Sequence, residues 1–137
     1  MIVADTGALL ALMDTGDRHH HALVGLYRSN PEAWVLPWAV LPEVDYLVRA
    51  ELGARAGDAF LADLAAEAYH IEWGRENDLA RAHQISRRYK ALAIGLVDAV
   101  VIAIAERLRA EAIATLDLRH FGAIRIEGTP RLLPRDL

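Results

Sequence analysis

The chain has 137 residues, 54% of them hydrophobic, a net charge of −4 and no cysteine. The lack of cysteine excludes disulfides and thiolate metal sites, and the acidic balance argues against a uniformly basic nucleic-acid binder. No apolar run reaches eighteen residues, and the N-terminal apolar run contains Asp5 with no basic segment before it, so neither a transmembrane helix nor a signal peptide is expected. We therefore expect a cytoplasmic protein of one-domain size.

Short apolar stretches alternate with longer amphipathic ones along the chain. The short stretches predict five strands, at 2–4, 33–36, 69–72, 112–115 and 124–126. The longer ones predict six helices. Five are at 6–13, 17–29, 55–67, 76–91 and 96–109, and one begins at Pro37 or Leu41 and ends at 52. This alternation predicts an α/β fold with a central parallel sheet and helices on both faces. Without an internal repeat or linker, residues 1–137 are expected to form a single domain.

Carboxylates recur in otherwise apolar surroundings. They are Asp5 in MIVADTGALLALM, Glu43 in AVLPEVDYLV, Asp98 in AIGLVDAVVIAIA and Asp117 in AIATLDLRHF. Burying an ionised carboxylate is unfavourable unless it is paired, hydrogen-bonded or bound to a metal. Asp5 and Asp117 follow predicted strands, and Asp98 begins the helix that leads into the second of these strands. Because ligands of open α/β sheets bind beyond the carboxyl ends of the strands, we expect these side chains to meet there.

Each aspartate also has a purely structural explanation. Asp5 could cap the helix after it, although Thr6 could do so instead. Asp117 could cap the short turn LRHF. Asp98 is the only charge in its stretch, and the valine at position 101 leaves a capping box incomplete, so a functional role is favoured for it.

The choice between Glu43 and Asp45 stays open on pattern alone. Residues two apart point to different faces of a helix, so only one of them is expected to enter a site. Thr115 is expected to be an ordinary strand residue, although its hydroxyl could position a carboxylate or a water.

A cluster of carboxylates needs a neutralising cation, because like charges at short range suppress ionisation. Oxygen ligands in a chain without cysteine indicate Mg²⁺ or Mn²⁺. Such ions generate hydroxide, polarise phosphoryl groups and stabilise leaving oxygens. Three basic residues, Arg49, Arg119 and His120, could meet a phosphate near the acidic edge.

Four segments carry a family resemblance: VADTGALLALMD, LPEVDYLV, GLVDAVVIAIAERL and IATLDLRHFG. In this order and spacing they resemble the PIN-domain family, and within it the VapC-type toxins of bacterial toxin–antitoxin pairs, over nearly the whole chain. The resemblance implies a PIN-like α/β fold and Mg²⁺- or Mn²⁺-dependent ribonuclease activity. It also implies a homodimer that an antitoxin holds inactive by filling the acidic groove.

The resemblance assigns roles to particular residues. It implies an acidic site, assisted by two hydroxyls, that consists of Asp5, Glu43, Asp98 and Asp117 with Thr6 and Thr115. The segment EVDYLV selects Glu43 over Asp45. One departure is Gly7, where serine, asparagine or alanine is more usual, and we expect it to have little effect on metal binding.

The resulting hypothesis is a metal-dependent endoribonuclease. Asp5 and Asp98 would hold the principal ion, while Glu43 and Asp117 would complete the pocket and help to orient the attacking water. A single-stranded RNA loop is the expected target, since such loops expose both backbone and bases.

Two other functions are compatible with an acidic sheet edge. One is a receiver-like signalling domain that accepts a phosphoryl group on an aspartate. Receivers are expected to carry paired acids after the first strand and a lysine late in the chain, whereas the only lysine here, Lys90, precedes Asp98. The other is a catalytically inactive PIN-like binding module, which would bind metal without turnover.

Overall fold

In a computed structural model that describes residues 1–137, the chain folds into five short strands and seven α-helices. The strands are β1 (Ile2–Ala4), β2 (Trp34–Pro37), β3 (His70–Glu72), β4 (Ala112–Ala114) and β5 (Arg131–Leu133). The helices are α1 (Thr6–Met13), α2 (His20–Ser29), α3 (Val40–Leu52), α4 (Ala54–Ala65), α5 (Glu76–Arg88), α6 (Leu96–Arg107) and α7 (Leu118–Phe121). No helix combines the length and the apolar character that crossing a membrane requires.

The strands form one sheet in the order β3-β2-β1-β4-β5, and every neighbouring pair is parallel. β1 is central, with Val3 opposite Val35 of β2 and Ile113 of β4. All residues of β1, β2 and β4 are buried, as expected for a parallel sheet covered on both faces. The predicted α/β class with a parallel sheet is confirmed.

The predicted strand at 124–126 is wrong. Ile124 and Ile126 are buried, at 7% and 5% exposure, but they pack against the core without pairing in the sheet. The fifth strand is β5, in which Leu132 lies opposite Ile113 and Leu133 opposite Ala114. An apolar alternation reports burial, and burial does not require a strand.

Several predicted helix ends shift by a few residues. α3 begins at Val40, which places Pro42 in the first turn, where a missing backbone N–H is harmless. α4 ends at Ala65, α5 at Arg88 and α6 at Arg107, each two or three residues earlier than predicted. The second helix begins at 20 rather than 17.

Helix α6 lies within the core. Every residue from 99 to 105 is buried, so the middle of the helix is apolar on all sides, as expected of a helical segment that packs within a core. Its partners are α5, β1 and β2. Gly95 is its N-cap residue, so Asp98 lies in its first turn. The packing of α6 therefore fixes where the carboxylate of Asp98 can be.

Arg107 joins the other end of α6 to β3 and α5. Its guanidinium donates to Asp78 at 2.7 and 2.9 Å and to Glu72 at 2.9 Å. Burial alone would raise the pKa of Asp78, but the hydrogen bonds from Arg107 and from the backbone of Arg75 hold that pKa below its usual value. The ion pairs thus keep a carboxylate that is only 4% exposed in its charged form.

We expect Arg107→Met to lower the free energy of unfolding by roughly 2–4 kcal/mol at pH 7, because it leaves Asp78 buried without a partner. Since the folded-state pKa values of Asp78 and Glu72 are depressed, this contribution is present above their usual pKa and is lost as the pH falls. Urea unfolding followed by circular dichroism measures the difference. Arg28→Met, at an exposed site without an ion pair, is the control. Equal losses in the two variants would contradict the assignment.

Candidate metal centre

Asp5 follows β1 directly and is 5% exposed. It occupies the N-cap position of α1, but its side chain makes no capping hydrogen bond. Instead, Oδ2 of Asp5 accepts a hydrogen bond of 3.0 Å from the hydroxyl of Thr115, which follows β4. The same hydroxyl accepts from the backbone N–H of Asp117 at 3.1 Å. Thr115 therefore links the carboxyl ends of β1 and β4, and its hydroxyl positions a carboxylate, which was the alternative to an ordinary strand residue.

Asp98 and Asp117 meet at the imidazole of His120. Nδ1 of His120 lies 2.9 Å from Oδ2 of Asp98 and 3.0 Å from Oδ2 of Asp117. One ligand atom from each of the three residues lies within 4.8 Å of the others. Asp117 also caps α7, because its Oδ1 accepts from the backbone N–H of His120 at 3.1 Å. The capping explanation of Asp117 is thus correct, and its other carboxylate oxygen still faces the cluster.

Glu43 and Asp45 have different surroundings. Glu43 lies exposed in the first turn of α3, near enough for its charge to add a small part to the raised pKa of Asp98. Asp45 accepts from Arg49 at 3.0 Å, and Arg49 also pairs with Asp58 at 3.0 Å. Asp45 is therefore engaged in an ion pair on the surface of α3.

The three basic residues that could meet a phosphate have different surroundings. Arg49 is held by its two aspartates, Arg119 is exposed on α7, and only His120 reaches the carboxylates. The sequence suggested His120 as a partner of a phosphate near the acidic edge, but not its contact with the carboxylates of Asp98 and Asp117. A signal was present: it stands three residues after Asp117, a spacing that brings two side chains together on a helix.

The electrostatics of the cluster oppose its ionisation. Burial raises the pKa of Asp5, and the charges of Asp98 and Asp117 raise it further. Hydrogen bonds from the backbone of Thr6 and the hydroxyl of Thr115 lower this pKa and so offset part of the rise, which leaves it at about 6. Burial also raises the pKa of Asp98, as do the charges of Asp117 and Glu43, while His120 opposes the shift. The neighbouring carboxylates thus make Asp5 and Asp98 harder to ionise.

The residues present fit a divalent cation. None of the four acidic residues forms an ion pair with a lysine or arginine, which would be the usual way to neutralise them, and His120 is the only basic side chain in contact. The buried hydroxyl of Thr6, next to Asp5, has no hydrogen-bond partner. Carboxylate and hydroxyl oxygens are ligands that suit Mg²⁺ and Mn²⁺.

The family model of the PIN domain matches residues 2–126. The chain belongs to the PIN-domain family. It is also 35% identical over 130 residues to Ribonuclease VapC26 of Mycobacterium tuberculosis, an alignment that covers 95% of this PIN domain chain and 96% of that protein. The predicted resemblance to VapC-type PIN domains is confirmed.

Solved structures share the fold of this PIN domain. VapC20 of Mycobacterium tuberculosis, described as a sarcin-ricin loop cleaving toxin, superposes with a TM-score of 0.81 at 23% identity, covering 95% of this chain and 99% of that one. VapBC2 of Rickettsia felis, bound to a DNA fragment from its promoter, gives 0.69 at 18% identity, with coverage of 96% and 97%. DNA-bound VapBC of Salmonella typhimurium gives 0.68 at 19%, with coverage of 96% and 95%.

We expect Asp5→Asn to raise the free energy of unfolding of the metal-free protein by roughly 2–3 kcal/mol at pH 8. The pKa of Asp5 is about 6 in the folded chain against an ordinary value of 3.8 for an aspartate in water, so the unfolded chain ionises first. The stability due to protonated Asp5 is full below about pH 4 and is lost as the pH rises through 6. Asparagine removes that loss.

Urea unfolding in EDTA at pH 8 and at pH 4 measures this difference, which should fade at the lower pH. Asp63→Asn, at an exposed position on α4, is the control and should change little at either pH. A less stable Asp5→Asn protein at pH 8 would contradict the electrostatic account.

Proposed function

We propose that this chain is a VapC-type ribonuclease toxin that hydrolyses RNA phosphodiester bonds with the help of Mg²⁺ or Mn²⁺. The observation that carries the proposal is the meeting of Asp98 and Asp117 at the imidazole of His120, with Asp5 connected to Asp117 through the hydroxyl of Thr115 and without a lysine or arginine to neutralise these carboxylates. The identity of the chain to Ribonuclease VapC26 supports the reaction class. The match to a PIN domain favours this function over a receiver-like phosphoacceptor.

The positions of the acidic residues give them different roles in the proposed reaction. Asp5 and Asp98 would hold the ion, as the sequence predicts, and we add Asp117, because it shares the imidazole of His120 with Asp98. When bound, the ion would lower the pKa of a water and polarise the phosphoryl group. Glu43 is exposed at the rim, where its carboxylate could accept a hydrogen bond from the attacking water and orient it.

The hydroxyl residues would act through the carboxylates. Thr115 fixes the orientation of Asp5 by donating to Oδ2, and it fixes the backbone of Asp117 by accepting from its N–H. Thr6 is buried beside Asp5 with a free hydroxyl, which could bind a water of the hydrated ion. Such preorganisation holds the ligands close together before the ion or substrate arrives.

We further propose that residues 1–137 act as one domain, that the chain forms a homodimer, and that a cognate antitoxin protein inhibits it by filling the acidic groove. The VapBC complexes among the structural relatives support the antitoxin. The RNA target would be a single-stranded loop, whose backbone and bases are both accessible.

RNA cleavage by the purified chain tests the proposal. With Mg²⁺ or Mn²⁺ we expect cleavage that EDTA abolishes. Asp98→Asn should lower the cleavage rate by about 100-fold or more, because loss of a ligand weakens binding of the ion. Asp45→Asn is the matched control on α3, and it should retain cleavage, whereas Glu43→Gln should lose most of it. Gel analysis of a labelled RNA that contains both loops and helices measures all four proteins.

Full metal-dependent cleavage by Asp98→Asn would contradict the assignment of the centre. Wild-type protein that binds Mn²⁺ but cleaves neither single-stranded nor structured RNA would instead be the inactive PIN-like binding module.

A further inference from the structure

The backbone that carries the imidazole of His120 is held in place by a hydrogen bond and by its buried neighbour. The backbone N–H of His120 donates to Oδ1 of Asp117, and the next residue, Phe121, is 1% exposed in the core. Nδ1 therefore faces Asp98 and Asp117 from a fixed backbone position, at 2.9 and 3.0 Å from their Oδ2 atoms. The other ring nitrogen, Nε2, has no partner within the protein. The ring is aimed at the carboxylates by Nδ1.

Two of the three spacings among these ligand atoms match those of an octahedral metal ion. With metal–ligand bonds of about 2.1 Å, adjacent ligand atoms of an octahedron lie about 3 Å apart. The two distances from Nδ1 have this value, and the three atoms lie within 4.8 Å of one another. A single cation can thus contact all three atoms with little movement of the chain.

We propose that His120 is a ligand of the metal centre through Nδ1. The centre then has both nitrogen and oxygen donors, which favours a transition-metal ion such as Mn²⁺ over Mg²⁺. The inference rests on the proposed function, because it concerns the same centre. Asp98 and Asp117 supply one carboxylate oxygen each, and the lone pair of Nδ1 supplies the third donor.

The imidazole of His120 can carry its N–H on Nε2 while Nδ1 binds a metal. A neutral imidazole carries one N–H, and Nδ1 must be the nitrogen without it if its lone pair is to bind a metal. Nε2 is free of protein partners and can carry the proton, so the metal occupies the position between Nδ1 and the carboxylates that a hydrogen would otherwise fill. No net proton is lost from a neutral ring.

The donor types determine the metal preference. Mg²⁺ is bound in proteins through carboxylates and water, keeps several waters and loses them reluctantly. Imidazole nitrogen is a softer donor that suits transition-metal ions. One nitrogen among oxygen ligands should therefore contribute more to the binding of Mn²⁺ than to the binding of Mg²⁺.

Pulsed electron paramagnetic resonance of the full chain loaded with one equivalent of Mn²⁺ tests the proposal without any catalysis. A nitrogen ligand modulates the Mn²⁺ spin echo, so we expect ¹⁴N modulation in the wild type and none in His120→Ala. The matched control is His83→Ala, at an exposed position on α5, which should keep the modulation. His120→Asn can supply an oxygen ligand at the same position, and it should bind Mn²⁺ without the nitrogen signal.

Calorimetric titration of the same proteins gives the selectivity. We expect His120→Ala to weaken Mn²⁺ binding by about tenfold or more and to weaken Mg²⁺ binding by a smaller factor. Bound Mn²⁺ without ¹⁴N modulation in the wild type would overturn the proposal, as would tighter Mn²⁺ binding by His120→Ala, which would make the imidazole a competitor of the metal.

Failure of the ligand assignment can be distinguished from failure of the proposed function. If Mn²⁺ binds without nitrogen modulation while cleavage still requires metal, His120 is not a ligand but the ribonuclease proposal stands. If the chain binds no Mn²⁺ and cleaves RNA in EDTA, both the ligand assignment and the metal dependence are wrong.

Discussion

Mutual repulsion among the carboxylates of Asp5, Asp98 and Asp117 is the constraint on which this site depends. Each is partly or wholly shielded from water, and for Asp5 and Asp98 the charges of neighbouring carboxylates add to the effect of burial in raising the pKa. No arginine or lysine contacts them. The contrast with Asp78 is instructive, because that carboxylate is also buried but has Arg107 as its partner and a lowered pKa. The protein pairs Asp78 with an arginine, whereas at the acidic edge the basic side chain in contact is the imidazole of His120, which carries a positive charge only when it is protonated.

Packing between neighbouring elements of the fold brings these charges together. The parallel register places the ends of β1 and β4 side by side, and the hydroxyl of Thr115 joins them. The burial of residues 99–105 of α6 fixes the backbone of the helix whose first turn carries Asp98. The rest of the core thus holds the carboxylates near one another, and a stability penalty in the metal-free chain is the expected counterpart of metal affinity. Binding of an ion to the folded state alone would offset that penalty.

The sequence predicted the parts of the site that local pattern can reveal. A lone carboxylate in an apolar run is conspicuous, so Asp5 and Asp98 could be singled out, and the strand-end rule placed Asp5 and Asp117 at one edge. Local pattern did not reveal the role of His120, because its importance arises from contact with Asp98, 22 residues earlier in the chain. The preference for Glu43 over Asp45 came from family resemblance, and the ion pair of Asp45 with Arg49 is visible only in the structure. Similarly, Ile124 and Ile126 have the apolar spacing of a strand, but the hydrogen bonds of β4 go to β5.

Anomalous diffraction from crystals of the chain grown with Mn²⁺ tests the central claim most directly. The claim is that a divalent cation, rather than a protein side chain, neutralises the carboxylates at the sheet edge. It predicts one strong anomalous peak about 2.2 Å from carboxylate oxygens of Asp5, Asp98 and Asp117. A well-ordered acidic edge with no peak at saturating Mn²⁺, or with a lysine or arginine seated among the carboxylates, would contradict it.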